Sequence, residues 1–180
     1  RIHMTQEEER NWLIRQAKKE AKTDVMSVSQ RTGQIATAVG PLIGVLFFAA
    51  HQMWSTGFFT SKFGSLEAFL FYSLILIGIL NAIIRGIIGR KNTLRPFEIS
   101  WIIYMIISLI YLLAVFPFDF SHLADVLPSF LRFLLAWISD GIAKALVVLG
   151  IIGIAVFAIY DTLLYIYVRR ELSKTTAKPA

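Results

Sequence analysis

Four stretches of this chain, near residues 34–54, 67–89, 97–116 and 143–167, are almost uninterrupted runs of apolar side chains. A hydrocarbon core of ~30 Å takes about 20 helical residues to cross, and each stretch is long enough. Inside lipid a backbone has no water to bond, so such a run must satisfy its own N–H and C=O groups as a helix. The expected fold is an all-α integral membrane protein with four transmembrane helices in a bundle. A composition of 56% hydrophobic and 17% charged residues lies outside the balance of a soluble domain and agrees.

The basic residues orient the runs. Arg10, Arg15, Lys18, Lys19, Lys22 and Arg31 precede the first, Arg90, Lys91 and Arg95 join the second to the third, and Arg169, Arg170, Lys174 and Lys178 follow the fourth. The remaining two connections hold only Lys62, Arg132 and Lys144, set against Glu67, Asp119, Asp125 and Asp140. The positive-inside rule then places both termini in the cytoplasm. A fifth crossing through 117–138 would put Asp119, Asp125 and Arg132 in lipid. Each such ion costs about 2.5–3.5 kcal/mol near the bilayer centre, so that topology is rejected. The same segment, rich in Phe130, Phe133 and Trp137 after Pro128, is expected to form a short outer interfacial helix near 128–139, with a re-entrant pore helix as the sharper alternative. Because the basic residues flank apolar runs, a pI near 9.7 points to anionic lipid rather than nucleic acid.

The first four residues, RIHM, read as a cloning remnant ending at the initiator Met4. Residues 5–32 read as a cytoplasmic amphipathic helix and linker, opening with Thr5 and Glu8 in a capping-box pattern. Its stripe of Ile14, Ala17, Ala21, Val25 and Val28 suits an inner-leaflet surface or a soluble cytoplasmic partner; the plainer alternative is a solvated helix running into the first span. Residues 33–168 form the transmembrane domain and 169–180 a basic cytoplasmic tail. The chain has no cysteine, which removes disulfide, thiolate and iron–sulfur chemistry. Its only asparagines are Asn11, Asn81 and Asn92, none in an outer loop, which fits a prokaryotic inner membrane.

Small residues at four-residue or similar spacing let helices approach closely. They occur as Ala36, Gly40 and Gly44, as Gly78, Ala82 and Gly86, and as Gly150 and Gly153. Pro41 falls within the first set and should kink that span. On the third span Ser100, Tyr104, Ser108 and Tyr111 share a face suited to interhelical hydrogen bonds. His51, beside Trp54, reads as a hydrated interfacial residue rather than a proton carrier.

The most informative polar residues are Asn81, Arg85 and Asp161. Arg85 stands about 7 Å of helix rise from Arg90, and Asp161 about 12 Å from Arg169, so both belong to the inner half of the membrane. An unpaired charge there is expensive, which predicts an Arg85–Asp161 contact with Asn81 and Tyr104 as neighbours and Glu98 as a rival acid. Snorkelling of Arg85 to lipid phosphate is the alternative. No HExxH, GxSxG or phosphate-binding glycine loop is present, and no carboxylates stand at metal-ligand spacing. The expectation is a non-enzyme with no metal and no cofactor. Two functions follow from these features. The first is a complex-forming membrane subunit, a homo-oligomer or part of a larger assembly, that recruits a cytoplasmic protein. The second is a small oligomeric ion or solute channel or transporter built on Asn81, Arg85 and Asp161.

Overall fold

The computed structural model describes the backbone over residues 6–176 and side chains over 12–174; Met4, the Thr5 capping box and Lys178 lie outside these. Six α-helices account for most of the described chain: α1 Gln6–Lys22, α2 Val28–Ala36, α3 Val39–Met53, α4 Ser65–Ile88, α5 Lys91–Val115 and α6 Asp140–Thr176. With α2 and α3 taken as one broken segment, four helical segments are long and apolar enough to cross a membrane: Val28–Met53, Ser65–Ile88, Lys91–Val115 and Asp140–Lys174. That is the pattern of an integral membrane protein.

The break between α2 and α3 follows from Pro41. Its ring crowds the carbonyl four residues back and it has no N–H to offer it, so the helix is interrupted at Thr37 and Ala38. Gly89 ends α4 in the left-handed conformation, φ 66°, and gives its N–H to Arg85 O at 3.1 Å, which permits an almost immediate reversal into α5. The carbonyls left free at that helix end are taken by Arg31. Its Nε donates to Gly86 O at 2.7 Å and its Nη2 to Ile87 O, so the guanidinium caps the negative end of the α4 dipole. A Cβ on Gly86 would sit 2.9 Å from Arg31 O and collide with Ile35, so this glycine is what lets α2 cross. Among the expected small-residue positions, Gly86 alone is shown to serve a contact within the chain. A Cβ added at Gly40, Gly44, Gly78, Gly150 or Gly153 would meet nothing within 4 Å, and Ala36 is exposed.

The packed neighbours run in order: α2 and α3 on α4, α4 on α5, α5 on α6, and α1 on α6. The bundle is therefore left with a lateral cleft between α3 and α6, floored by α4 and α5. The N-terminal helix α1 docks on its own chain, where a membrane surface or a separate protein was expected. Ala17 is fully buried against Leu164 and Val168, and Trp12 lies 6.0 Å from Tyr160, so α1 runs parallel to α6. Val25 and Val28 leave the expected stripe and are exposed. The basic residues 169–176 continue α6 rather than forming a separate tail.

At the end opposite the α4–α5 turn, two loops are pinned together. Thr60 N–H donates to Pro117 O at 3.0 Å and Asp119 N–H to Phe58 O at 2.8 Å. Phe58, 1% exposed, sits 5.5 Å from both Phe48 and Phe118 in an aromatic plug. The expected interfacial α-helix near 128–139 is instead a 3-10 helix at Ser129–Leu134, with a second at Phe120–His122. Pro128 starts the former, and Leu135 leaves helical register. Phe130, Phe133 and Trp137 point outward. No long helix crosses through 117–138, in line with four spans.

His51 also departs from expectation. It is 1% exposed rather than hydrated, because the loop after α5 closes over it. Its Nε2 donates to Leu123 O at 3.1 Å and its Nδ1 is hydrogen-bonded to the Thr56 hydroxyl at 2.6 Å, so the ring is a cross-brace between loops.

Candidate functional site

The first turns of α5 carry the site. The segment Arg90–Pro96 is helical from Lys91 onward, despite Pro96, and this places Asn92, Arg95 and Glu98 at three-residue steps on one buried face. Arg95 is the hub. Its Nε lies 3.2 Å from Asp161 Oδ1 on α6, its Nη2 bonds Glu20 Oε2 on α1, and its Nη1 donates to Asn92 Oδ1 at 3.4 Å. Side-chain exposure is 8% for Arg95 and 9% for Asp161, so this is a desolvated bridge between three helices. The link Thr23–Ser27 clamps the same place: Asp24 Oδ1 accepts from Asn92 N at 2.8 Å, and Asp24 O from Lys91 N at 3.0 Å.

Arg85 does not pair with Asp161. Its Nη1 meets Glu98 Oε1 at 2.8 Å, the acid named as its rival, while Asp161 takes Arg95. The α4–α5 reversal explains the exchange: Glu98 is on the neighbouring antiparallel helix thirteen residues on, and Arg95 fills the space in front of Asp161. Tyr104 is also placed elsewhere, hydrogen-bonded to Ser73 Oγ at 2.6 Å. The Ser/Tyr face does serve α4–α5 packing, with Tyr111 OH donating to Glu67 Oε1 at 2.8 Å. Ser100 turns back to Pro96 O at 3.0 Å, and Ser108 Oγ is buried without a partner.

Asn81, Arg85 and Asp161 do share a space. With Glu98 they line a cavity of about 330 Å³ between α4, α5 and α6, walled also by Trp101, Met105, Gly153 and Phe157. Three polar atoms there are buried without a hydrogen-bond partner: Asn81 Oδ1, Arg85 Nε and Asp161 Oδ2. Leaving such a group unmet costs about 1–3 kcal/mol, more when it is charged. The chamber's charged and amide side chains, Arg85, Glu98, Asp161 and Asn81, make it the polar one of the two larger cavities.

A second cavity, also about 330 Å³, lies farther along the cleft and has only apolar walls, among them Phe48, Leu74, Leu109, Leu112 and Val147. Met105 lines both. From Glu98 through Met105 to Phe116 the two cover about 27 Å of α5, most of a ~30 Å hydrocarbon core. The far end is stoppered by the phenylalanine plug, with Lys144 Nζ 4.2 Å over the Phe116 ring.

The sequence reading missed Arg95 and Glu20. Arg95 stands with Arg90 and Lys91 in the basic connection between the second and third apolar runs, where it reads as an orienting charge. The three-residue spacing of Asn92, Arg95 and Glu98 was the available signal. Among the described residues, no cluster of three or more His, Asp or Glu side chains could hold a metal. Comparison with protein-family models, curated protein sequences and solved structures gives no match.

Proposed function

We propose that this protein is an amphiphile-binding membrane protein. It takes a lipid-like molecule through the lateral cleft, the polar end among Asn81, Arg85, Glu98 and Asp161 and the apolar end along Leu109 and Leu112. The observation that carries the reading is the pair of neighbouring cavities that share Met105 in their walls, one lined by Asn81, Arg85, Glu98 and Asp161 and the other wholly apolar. A solute channel through one protomer is disfavoured, since the outer half of the cleft offers an ion no polar partner. In this reading the basic end faces the cytoplasm, where the positive-inside rule puts it.

The test is lipid extraction after purification in a short-chain detergent. One tightly held amphiphile per chain is expected, and Leu109→Trp, which fills the apolar cavity, is expected to lose it. A wild-type protein that retains none, or a Leu109→Trp variant that retains as much, refutes the proposal.

A second reading rests on the glycines with open space beside them. Gly40, Gly44, Gly78 and Gly150 are not covered within the chain, and a copy of this protein or another membrane subunit docking there would make the chain a complex-forming subunit. Cross-linking in native membranes tests it: Gly44→Leu and Gly150→Leu should abolish an oligomer without unfolding the protomer.

A further inference from the structure

At the basic end of the bundle a separate cavity of about 350 Å³ opens between the α4–α5 turn, the link after α1 and the last turns of α6. Its walls include Asp24, Arg90, Thr93 and Pro96 on one side and Tyr165 and Arg169 on the other. Both arginines are exposed, and among the described residues neither has a carboxylate within ion-pair distance. Asp24, the one acid in the wall, is engaged by the start of α5. Its Oδ1 accepts from Asn92 N–H at 2.8 Å and its main-chain O from Lys91 N–H at 3.0 Å. Those two N–H groups are therefore closed to a ligand, and the guanidiniums are open to one. With the charges next behind the wall included, Arg95 with its partners Glu20 and Asp161, and Lys91 beside Arg90, four cations stand against three carboxylates.

Both arginines are held in place. Met26 N–H donates to Gly89 O at 2.8 Å, which with the Lys91 bond pins the backbone on either side of Arg90. Arg169 Nη1 donates to Tyr165 OH at 3.0 Å, its guanidinium 6.0 Å from that ring, and keeps its other N–H groups free to donate. Pro96 also begins a stripe along α5. Ser100, Ile103, Ile107 and Ile110 follow it at alternating four- and three-residue steps on one face, and the three isoleucines are exposed. On a membrane-spanning helix such a stripe faces acyl chains, so an apolar track leads away from the two cations.

We infer that this cavity binds an anionic phospholipid, its phosphate bridged by Arg90 and Arg169, the Thr93 hydroxyl donating to a phosphate oxygen, and an acyl chain lying along Ile103 and Ile107. The site is separate from the cleft, and the inference does not rest on the amphiphile reading above. A guanidinium matches phosphate with two parallel N–H bonds, and a basic pocket between spanning helices suits an anionic headgroup. A choline lipid carries the same phosphate but brings a further cation toward two arginines. A soluble phosphate satisfies the arginines and gains nothing from the apolar stripe.

The full-length protein in neutral detergent is exposed to equimolar phosphatidylglycerol and phosphatidylcholine with the same acyl chains, and retained lipid is weighed by native mass spectrometry. The glycerol lipid is expected to exceed the choline lipid by about tenfold, as one charge-assisted hydrogen bond allows. Arg90→Gln and Arg169→Gln are each expected to bring that ratio near one with the melting temperature unchanged, since neither side chain is ion-paired. Lys19→Gln removes an exposed cation of α1 outside the cavity and is expected to keep the preference. Leu109→Trp, which fills the apolar cavity of the cleft, is expected to keep it too.

Equal retention of the two lipids by the wild type overturns the inference. A Lys19→Gln variant that loses as much preference as Arg90→Gln overturns it as well, because the attraction is then diffuse charge. Loss of the preference in Leu109→Trp places the lipid in the cleft and refutes the basic site while leaving the amphiphile reading intact. Displacement of bound phosphatidylglycerol by glycerol 3-phosphate as readily as by a short-chain phosphatidylglycerol overturns the lipid source in favour of a soluble phosphate.

Discussion

The loss of Arg95 should be felt strongly, and its surroundings set the size of the effect. Replacing it with methionine keeps the apolar stem and removes a guanidinium shared by Glu20, Asp161 and Asn92. Glu20, 30% exposed, returns to water at small cost. Asp161, 9% exposed and with its other oxygen already unpartnered, is left as a buried carboxylate facing nothing. Breaking a buried pair in this way costs about 3–5 kcal/mol. At about 2–4 °C per kcal/mol for a chain of this size, the melting temperature in detergent should fall by about 6–20 °C. Adding Asp161→Asn removes the stranded charge, so the double variant should recover at least half of the loss. Arg85→Met strands Glu98, 10% exposed, in the same way, so a loss of similar size is expected there. A double variant whose loss equals the sum of the two singles, or an Arg95→Met protein that melts with the wild type, would refute the bridge as the structural hub.

Gly86→Leu should separate α2 from α4 and lower the melting temperature, whereas Gly150→Ala, with open space around it, should leave it unchanged or raise it slightly. His51→Ala removes a buried brace between loops and should cost about 2–4 kcal/mol in chemical unfolding. Because the chain has no cysteine, single cysteines report solvent directly: Asn81→Cys should react with a small water-soluble thiol reagent after delipidation, and Leu109→Cys should not. Outside the spans, the Ser121 hydroxyl and backbone N–H hold the Asp119 carboxyl below its ordinary value. A depressed folded-state value adds stability that is present at neutral pH and lost as pH falls through it. Asp119→Asn should therefore flatten the acid limb of melting temperature against pH.

Residues 34–54 and 67–89 were readable as spans because their length and hydropathy are properties of contiguous chain, and lipid leaves a helix as the only solution. Pro41 announced the break in the first span for the same local reason. Asn81, Arg85 and Asp161 were legible as polar residues conspicuous in apolar runs, and these three line one chamber. Their pairing was not legible. Whether Arg85 meets Asp161 or Glu98 depends on the register of α5 against α4 and α6, which no single helix encodes. Arg95 escaped notice because, with Arg90 and Lys91 in a basic connection, it reads as an orienting charge.

By itself, then, the sequence determined the four apolar segments, the kink at Pro41, and the polar residues set within them, all consequences of local composition and backbone satisfaction. Tertiary structure alone decided that α1 folds back on α6 and that Glu20 and Asp161 share Arg95. It also decided that a polar cavity between α4, α5 and α6 and an apolar cavity that reaches Phe48 on α3 share Met105 in their walls. Those are relations between surfaces distant in the chain, and they exist only once the helices have taken their places.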